Sequence, residues 1–310
     1  MAKSENYNIS AIFGDEDTYG TLNAAGDGVK FSIISSTIAP TQNKTNTNEF
    51  DGNYVQAAPI DGNITVAGDI TLRVRPKSIG YVLAWLYGAP VTTGAGPTYT
   101  HTFTASSTVA PSFQMEIYRS DITVYELYTG LVITDISSPV VVEGQLQITV
   151  SVVGRDADFD NVASVFIGTV TDLTGETEVF NSIDGTVSAG TTFIANSVNY
   201  TITRPAEQFY AIGDGGIASE VFKSKFEASG DVTVLFQNTD LLTKARNSTP
   251  DNISVGATDG TNSITFNNPT VKWDLTSQQP DSNTVQQLLT VPFRAYGSLN
   301  CVLVNTLASY

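Results

Sequence analysis

The chain has 310 residues, 41% of them apolar and 15% charged, and its 31 acidic against 15 basic side chains leave a formal net charge of −16. No basic stripe interrupts that acidity, which argues against nucleic-acid affinity carried by phosphate contacts. A single cysteine, Cys301, excludes a disulfide framework and cysteine zinc sites, and a single histidine, His101, excludes histidine metal clusters. Two halves of about 150 residues would each bury roughly 68–70% of their unfolded surface, enough for two cores.

The first residues, Met-Ala-Lys-Ser-Glu-Asn, lack the apolar core of a signal peptide. Residues 6–13 are a weak apolar start, 14–28 read as an open Gly/Asp/Thr/Asn loop, and 29–38 contain a strand. Thr41 to Asn53 is almost wholly polar and reads as a long exposed loop, either inert or a contact surface. Ile70, Leu72 and Val74 then alternate with Thr71, Arg73 and Arg75, a strand that Pro76 stops. Ile79, Val82, Leu83 and Leu86 follow at helical spacing and end at Gly88 and Pro90.

Strands are expected over 100–104, 112–117, 123–128 and 131–136, with a turn at Tyr128-Thr-Gly130. In 145–153, Leu146, Ile148, Val150 and Val152 form an apolar face, and Gln145, Gln147, Thr149 and Ser151 an uncharged polar one. Gly154 to Asn161 reads as an acidic linker. Beyond it, strands are expected over 165–170, 178–180, 192–202, 221–227, 231–237, 263–266, 270–274, 288–294 and 301–304. Residues 204–216 and 247–262 read as loops, and 240–245 as a short helix. This spacing of strands and turns indicates an all-β chain of sandwiches or barrels.

Three segments recur in order. Ala67-Gly-Asp-Ile-Thr-Leu matches Ser229-Gly-Asp-Val-Thr-Val at an offset of 231 − 69 = 162. Pro111-Ser-Phe-Gln-Met-Glu-Ile matches Pro269-Thr-Val-Lys-Trp-Asp-Leu, and Ile148-Thr-Val-Ser-Val matches Leu289-Thr-Val-Pro-Phe. The expectation is two tandem β-sandwich or barrel domains, 1–162 and 163–310, from an internal duplication, each with a short flanking α-helix.

Little chemistry accompanies this. His101 sits in an ordinary strand pattern, and Cys301 in an apolar run as a small buried hydrophobe. Asp156, Asp158 and Asp160 have the spacing that opens a calcium loop, but the sixth position is Asn161 and the twelfth Ile167, not Gly and Glu. Gly213-Asp-Gly-Gly216 lacks the Lys-Ser/Thr of a phosphate loop. Trp85 and Trp273 lie in apolar stretches and are assigned to core packing. No catalytic, cofactor or metal residue is assigned, and the chain is read as a non-enzyme.

The order of features resembles the tail tube proteins (major tail proteins) of long-tailed, non-contractile bacteriophages, in their tandem-domain form. The residues that carry it are Asp17-Thr-Tyr-Gly-Thr21, Val66-Ala-Gly-Asp-Ile-Thr71, Arg75-Pro-Lys with the helix ending Leu-Ala-Trp-Leu-Tyr-Gly88, Thr100-His-Thr-Phe103, Pro111 to Ile117, Tyr128-Thr-Gly130, Ser229 to Thr233 and Leu289 to Phe293. The resemblance implies a β-sandwich with a flanking helix whose inner sheets join around a ring, rings that stack, and a hollow conduit for DNA ejection into the host. A tandem chain implies three subunits in a pseudo-six-fold ring, six being the alternative. It implies as partners further copies of the chain, tail terminator and tail-tip proteins, a tape measure protein during assembly, and genomic DNA in transit without specific binding. No membrane is implied, and assembly is in the host cytoplasm, with the virion tail as destination. Gln145, Gln147, Thr149 and Ser151 become the candidate lumen-facing strand, and Thr41, Asn43, Lys44, Asn46, Asn48 and Glu49 the candidate inter-ring loop. Two other readings remain open here. A tandem β-sandwich adhesin or carbohydrate-binding virion protein requires an exposed aromatic platform. A glycoside-processing enzyme requires two carboxylates across a groove.

Overall fold

The computed structural model describes residues 3, 5, 8–46, 55, 58–106, 111–141, 143–277 and 286–310. It is all-β, with 55% of the described residues in strands and, among them, two short α-helices. The first half carries β1 (Ile9–Thr18), β2 (Thr21–Leu22), β3 (Gly28–Lys30), β4 (Ser35–Ser36), β5 (Ala39–Thr45), β6 (Ile60–Arg73) and α1 (Ser78–Tyr87). It continues through β7 (Val91–Thr93), β8 (Tyr99–Thr104), β9 (Phe113–Arg119), β10 (Val124–Val141), β11 (Gln147–Gly154) and β12 (Asp156–Asn161). Then come β13 (Val170–Asp172), β14 (Gly185–Ala189), β15 (Ala195–Thr203), β16 (Ala206–Phe209), β17 (Glu220–Lys223) and β18 (Glu227–Leu235). The chain ends with α2 (Asp240–Arg246), β19 (Asp251–Thr258), β20 (Ser263–Trp273), β21 (Leu288–Ala295) and β22 (Asn300–Asn305).

A single sheet runs through both halves, in the order β6, β11, β10, β15, β18, β21. β4 and β5 lie on the outer side of β6. Ile70, Leu72, Ile148, Val150, Ile136, Ile202, Val232 and Val291 fill one face and are buried. In the first half that face packs on α1 and on a second sheet ordered β3, β1, β9, β10, β12. Phe13 stacks on Phe31 at 4.3 Å and Trp85 on Phe113 at 4.3 Å, so helix and both sheets meet in one aromatic cluster. In the second half Trp273 meets Phe293 edge-on at 5.7 Å.

α1 is buried almost all round, because Tyr310 at the chain's end closes over Gly80. Its own first turn holds no acid. The Glu176 carboxylate instead accepts from Lys77 N (2.7 Å) and Ser78 N (3.4 Å), two donors the helix cannot satisfy. α2 caps itself differently, with Asp240 in its first turn and Lys244 and Arg246 in its last.

Several expectations are corrected. The supposed loop 14–28 begins as the second half of β1, and the supposed linker 154–161 is β12, paired with β10. An extended strand does not wrap a cation, so Asp156, Asp158 and Asp160 do not form a calcium loop. Tyr128 to Gly130 is not a turn between strands but an irregularity inside the eighteen-residue β10. Gly130 has φ +64 there, and its freed N–H goes to Glu16 Oε1 at 2.7 Å. The segments read as loops at 204–216 and 247–262 contain β16 and β19, whereas 165–169 and 178–180 form no strand.

The repeated Gly-Asp has a physical cause. A Cβ on Gly68 would meet Thr37 O and the Ile38 backbone, and one on Gly230 would meet Asn199 O. Both glycines admit a neighbouring backbone at the same place in the sheet, the β4–β5 link at Gly68 and β15 at Gly230. Gly68→Ala and Gly230→Ala should each cost about 1–3 kcal/mol of stability, read as a lower urea midpoint at unchanged slope. Gly175→Ala, where a Cβ meets nothing within 4 Å, should stay within about 0.5 kcal/mol. Glu176→Ala should cost about 1 kcal/mol and Glu176→Gln less, because the amide oxygen still accepts at the helix end; equal losses in thermal unfolding would contradict the capping role.

Candidate functional site

The second face of the six-stranded sheet is mainly polar, interrupted at Pro139, Pro292 and Leu288. Because opposed residues in an antiparallel ladder share a face, register extends the face from Gln147, Thr149 and Ser151. β6 adds Asp69, Thr71 and Arg73. β10 adds Asp135 and Ser137. β15 adds Asn199, Thr201 and Thr203. β18 adds Glu227, Ser229, Asp231 and Thr233, and β21 adds Thr290 and Arg294. Acids thus outnumber cations by four (Asp69, Asp135, Asp231, Glu227) to two (Arg73, Arg294).

The acids are tied down by neighbours across the strands. Ser151 Oγ donates to Asp69 Oδ1 at 2.7 Å, and Thr203 Oγ1 to Asp135 Oδ2 at 2.9 Å. Asn199 Nδ2 donates to Asp231 Oδ2 at 3.0 Å, and the Thr233 and Thr290 hydroxyls meet at 2.9 Å. Burial raises the Asp135 carboxyl above its ordinary value, Asp69 adds to that, and the Thr203 hydrogen bond pulls it back.

Of the candidate lumen residues, Gln147, Thr149 and Ser151 share this face as the alternation required, with Gln147 exposed. Gln145 lies outside β11, in an isolated bridge to Asn181, because the strand starts at Gln147. The remaining residues of the face were missed, since only register joins them to the three that alternation found. The segment Ser197-Val-Asn-Tyr-Thr-Ile-Thr carries the same alternation and was the available signal.

The candidate inter-ring loop is corrected in its conformation. Thr41, Asn43 and Lys44 belong to β5, which pairs with the first half of β6 as a two-stranded arm. Asn46 follows the strand and is exposed, while Asn48 and Glu49 lie outside the described residues. Polar residues face both ways along this arm, so no hydrophobic period was present to reveal a strand. A second arm, β16 paired with β17, braces it: Tyr210 Oη donates to Ile64 O at 3.0 Å, and Ile64 N to Gly216 O at 2.8 Å.

The other singled-out residues are structural. His101 is buried between Thr92 Oγ1 (2.8 Å) and Leu307 O (2.9 Å), holding the C-terminal tail on β8. Cys301 is buried, which pushes its thiol up. Trp85 and Trp273 are buried, their indole N–H groups donating to Asp15 and Asp251, so neither offers a face to a sugar. No group of three or more His, Cys, Asp or Glu side chains placed to hold a metal occurs among the described residues.

An all-β chain with one mainly polar sheet face and a helix under each half is the context in which a family comparison becomes informative. The family model for phage tail tube proteins matches residues 8–295. The chain belongs to the phage tail tube protein family. No curated protein matches it. As a member of that family it is a structural component of the phage tail.

Ionisation of Asp135 works against the fold as pH rises through its elevated folded-state value, and the penalty is absent below the ordinary carboxylate range. Asp135→Asn keeps the acceptor for Thr203. It should therefore raise the melting temperature of this tail tube protein at pH 7, with the gain shrinking towards pH 4. A constant difference across that range would mean that desolvation of Asp135 is not the cause.

Proposed function

We propose that this tail tube protein forms the rings of a hollow conduit for DNA ejection, with three copies per ring and the polar sheet face turned to the lumen. The observation that carries the reading is the six-stranded sheet itself. It presents one apolar face to the core and one mainly hydrophilic face, and its strands come equally from both halves. A face of Ser, Thr, Asn and Gln with excess acid wets readily and repels a polyanion. DNA would pass along such a face without specific binding, and no catalytic role is assigned.

The division into tandem domains, 1–162 and 163–310, is part of this proposal. Its support is register. Ile148 opposes Leu72, and Leu289 opposes Val234; Ser151 opposes Asp69, and Pro292 opposes Asp231. Lys44 opposes Asp61 in one arm, and Ala206 opposes Lys223 in the other. β10 lies between β9 and β12 before meeting β11, as β20 lies between β19 and β22 before meeting β21. By these pairings the counterpart of β9 is β19, so the match of Pro111 to Ile117 with Pro269 to Leu275 aligns non-equivalent strands. Residues 163–180 pack on the first half, with β13 parallel to β3 and Phe180 N donating to Val74 O.

The polar arms at Thr41–Asn46 are proposed to reach the next ring. Assembly in the host cytoplasm with a tape measure protein, and contacts with tail terminator and tail-tip proteins, complete the reading. Electron microscopy of concentrated protein, with light scattering on the same sample, tests it. Hollow tubes built from rings of three are the expected result. Rings of six would keep the tube and remove the trimer, and a protein that never assembles while binding glycan would favour the adhesin.

A further inference from the structure

We infer that the outer edge of β4 and of the start of β5 at Ala39 and Pro40, with the groove beside it, docks residues 274–277, which follow β20, of a second copy of this chain. The inference rests on the tube reading and assigns the residues through which copies join.

The junction between the two halves supplies the template. Asp135–Val141 of β10 pairs with β15 and joins the halves into one sheet. β4 and β5 hold towards β6 the place that β15 holds towards β18. Ser35 opposes Thr71 and Ser197 opposes Thr233; Ala39 opposes Ala67 and Thr201 opposes Ser229. Each first-half position recurs 162 residues later (197 − 35, 201 − 39). Yet β15 is covered on its outer edge by β10, whereas no strand covers β4 and β5 among the described residues.

The groove beside the edge tells the same story. Ala195–Val198 line a space of about 190 Å³, narrowed by Val140 at the end of β10 and by Ile183 and Val187. The matching residues, Ile33–Ser36, line a space of about 620 Å³ walled by Ile9, Ala11 and Ile117 on an apolar side and by Lys30 and Arg119 on a charged one. Ile34 is 47% exposed in it. The wider groove lacks the counterpart of the β10 end.

That counterpart is the continuation of β20. The ladder with β21 runs to Asp274, whose N–H donates to Pro292 O at 2.8 Å, and Leu275 beyond it is 70% exposed. It sits at the opposite edge of the sheet from β4. Six strands at about 4.8 Å spacing put those edges over 20 Å apart, so one chain does not join its own two edges and a second copy is the occupant. The contact is head-to-tail, the kind that closes into a ring when the rotation allows.

The test uses tubes assembled from the full chain carrying Ala39→Cys, at the start of β5 and outside the arm assigned to the next ring, and Leu275→Cys, treated with a short bismaleimide. Cys301 is buried and unreactive. Cross-linked species ending at a trimer, absent from either single variant, are expected. Ile34→Glu should cut the assembled fraction about tenfold or more while leaving the melting temperature unchanged. Tubes that form but do not cross-link, and that tolerate Ile34→Glu, overturn this inference and leave the tube reading standing. A chain that builds no tubes removes the tube reading and this inference with it.

Discussion

The structure depends on the obligation of every backbone N–H and C=O to find a partner, and β10 is where that obligation is hardest to meet. Eighteen residues long, it belongs to two sheets. Its first part is paired by β9 and β12, and its last part by β11 and β15. A strand can change sheets only by breaking its ladder. The break is at Gly130, and the orphaned donor is taken by a buried carboxylate, Glu16. Glu16 also accepts from Gly20 N at 2.8 Å and from Ser112, so one acid stitches the β1–β2 hairpin to the bend in β10. Without that bend the polar face would stop at the first half.

Asp251 does comparable work in the second half. It accepts from Lys244 Nζ (2.8 Å), Thr191 Oγ1 (2.9 Å) and Trp273 Nε1 (3.1 Å), which ties α2, β19 and β20 together. Burial alone would raise its carboxyl, but these donors outweigh burial and hold it below its ordinary value. The acids that matter to the fold therefore spend their charge mainly on backbone, hydroxyl and indole donors, with the Lys244 ammonium added at Asp251. Of the ion pairs Lys44–Asp61, Arg119–Glu126, Lys244–Asp251 and Arg294–Asp274, the first and last join well-exposed partners and add little.

What was legible in the sequence follows from which segments have a buried face. β11 and the ends of β6 and β18 alternate strictly because one side meets the core; α1 was marked by apolar spacing and stop residues, and α2 by its place after the repeated strand. The β5 arm, β12 and the end of β1 were hidden for one reason. Each is rich in polar or acidic residues on both faces, as in Thr-Gln-Asn-Lys-Thr and Asp-Ala-Asp-Phe-Asp-Asn. Such charge is how an edge strand avoids unwanted pairing, so the residues that make it safe also remove the period that would reveal it. The candidate face was legible only at Gln147, Thr149 and Ser151. Its other members lie far off in sequence and are brought level by register, which no local pattern encodes.

Edge protection also bears on how copies would meet. Pro40 stands in β5 opposite Val66 of β6, and proline in a sheet is tolerated where its missing donor faces outward. In the β15 counterpart that position is Ile202, which β10 covers opposite Ile136. The edge that pairs within the chain thus keeps a full set of donors, and the edge left open has one removed. On the assembly proposed above, a lone subunit would present a blunted edge whose backbone ladder is too weak to capture strands indiscriminately. Selectivity would then fall to the groove beside Ile33 and Ile34, where the partner must seat an apolar side chain while its backbone makes the hydrogen bonds. Ring closure would be driven by burial in that groove, with the ladder fixing register once contact is made.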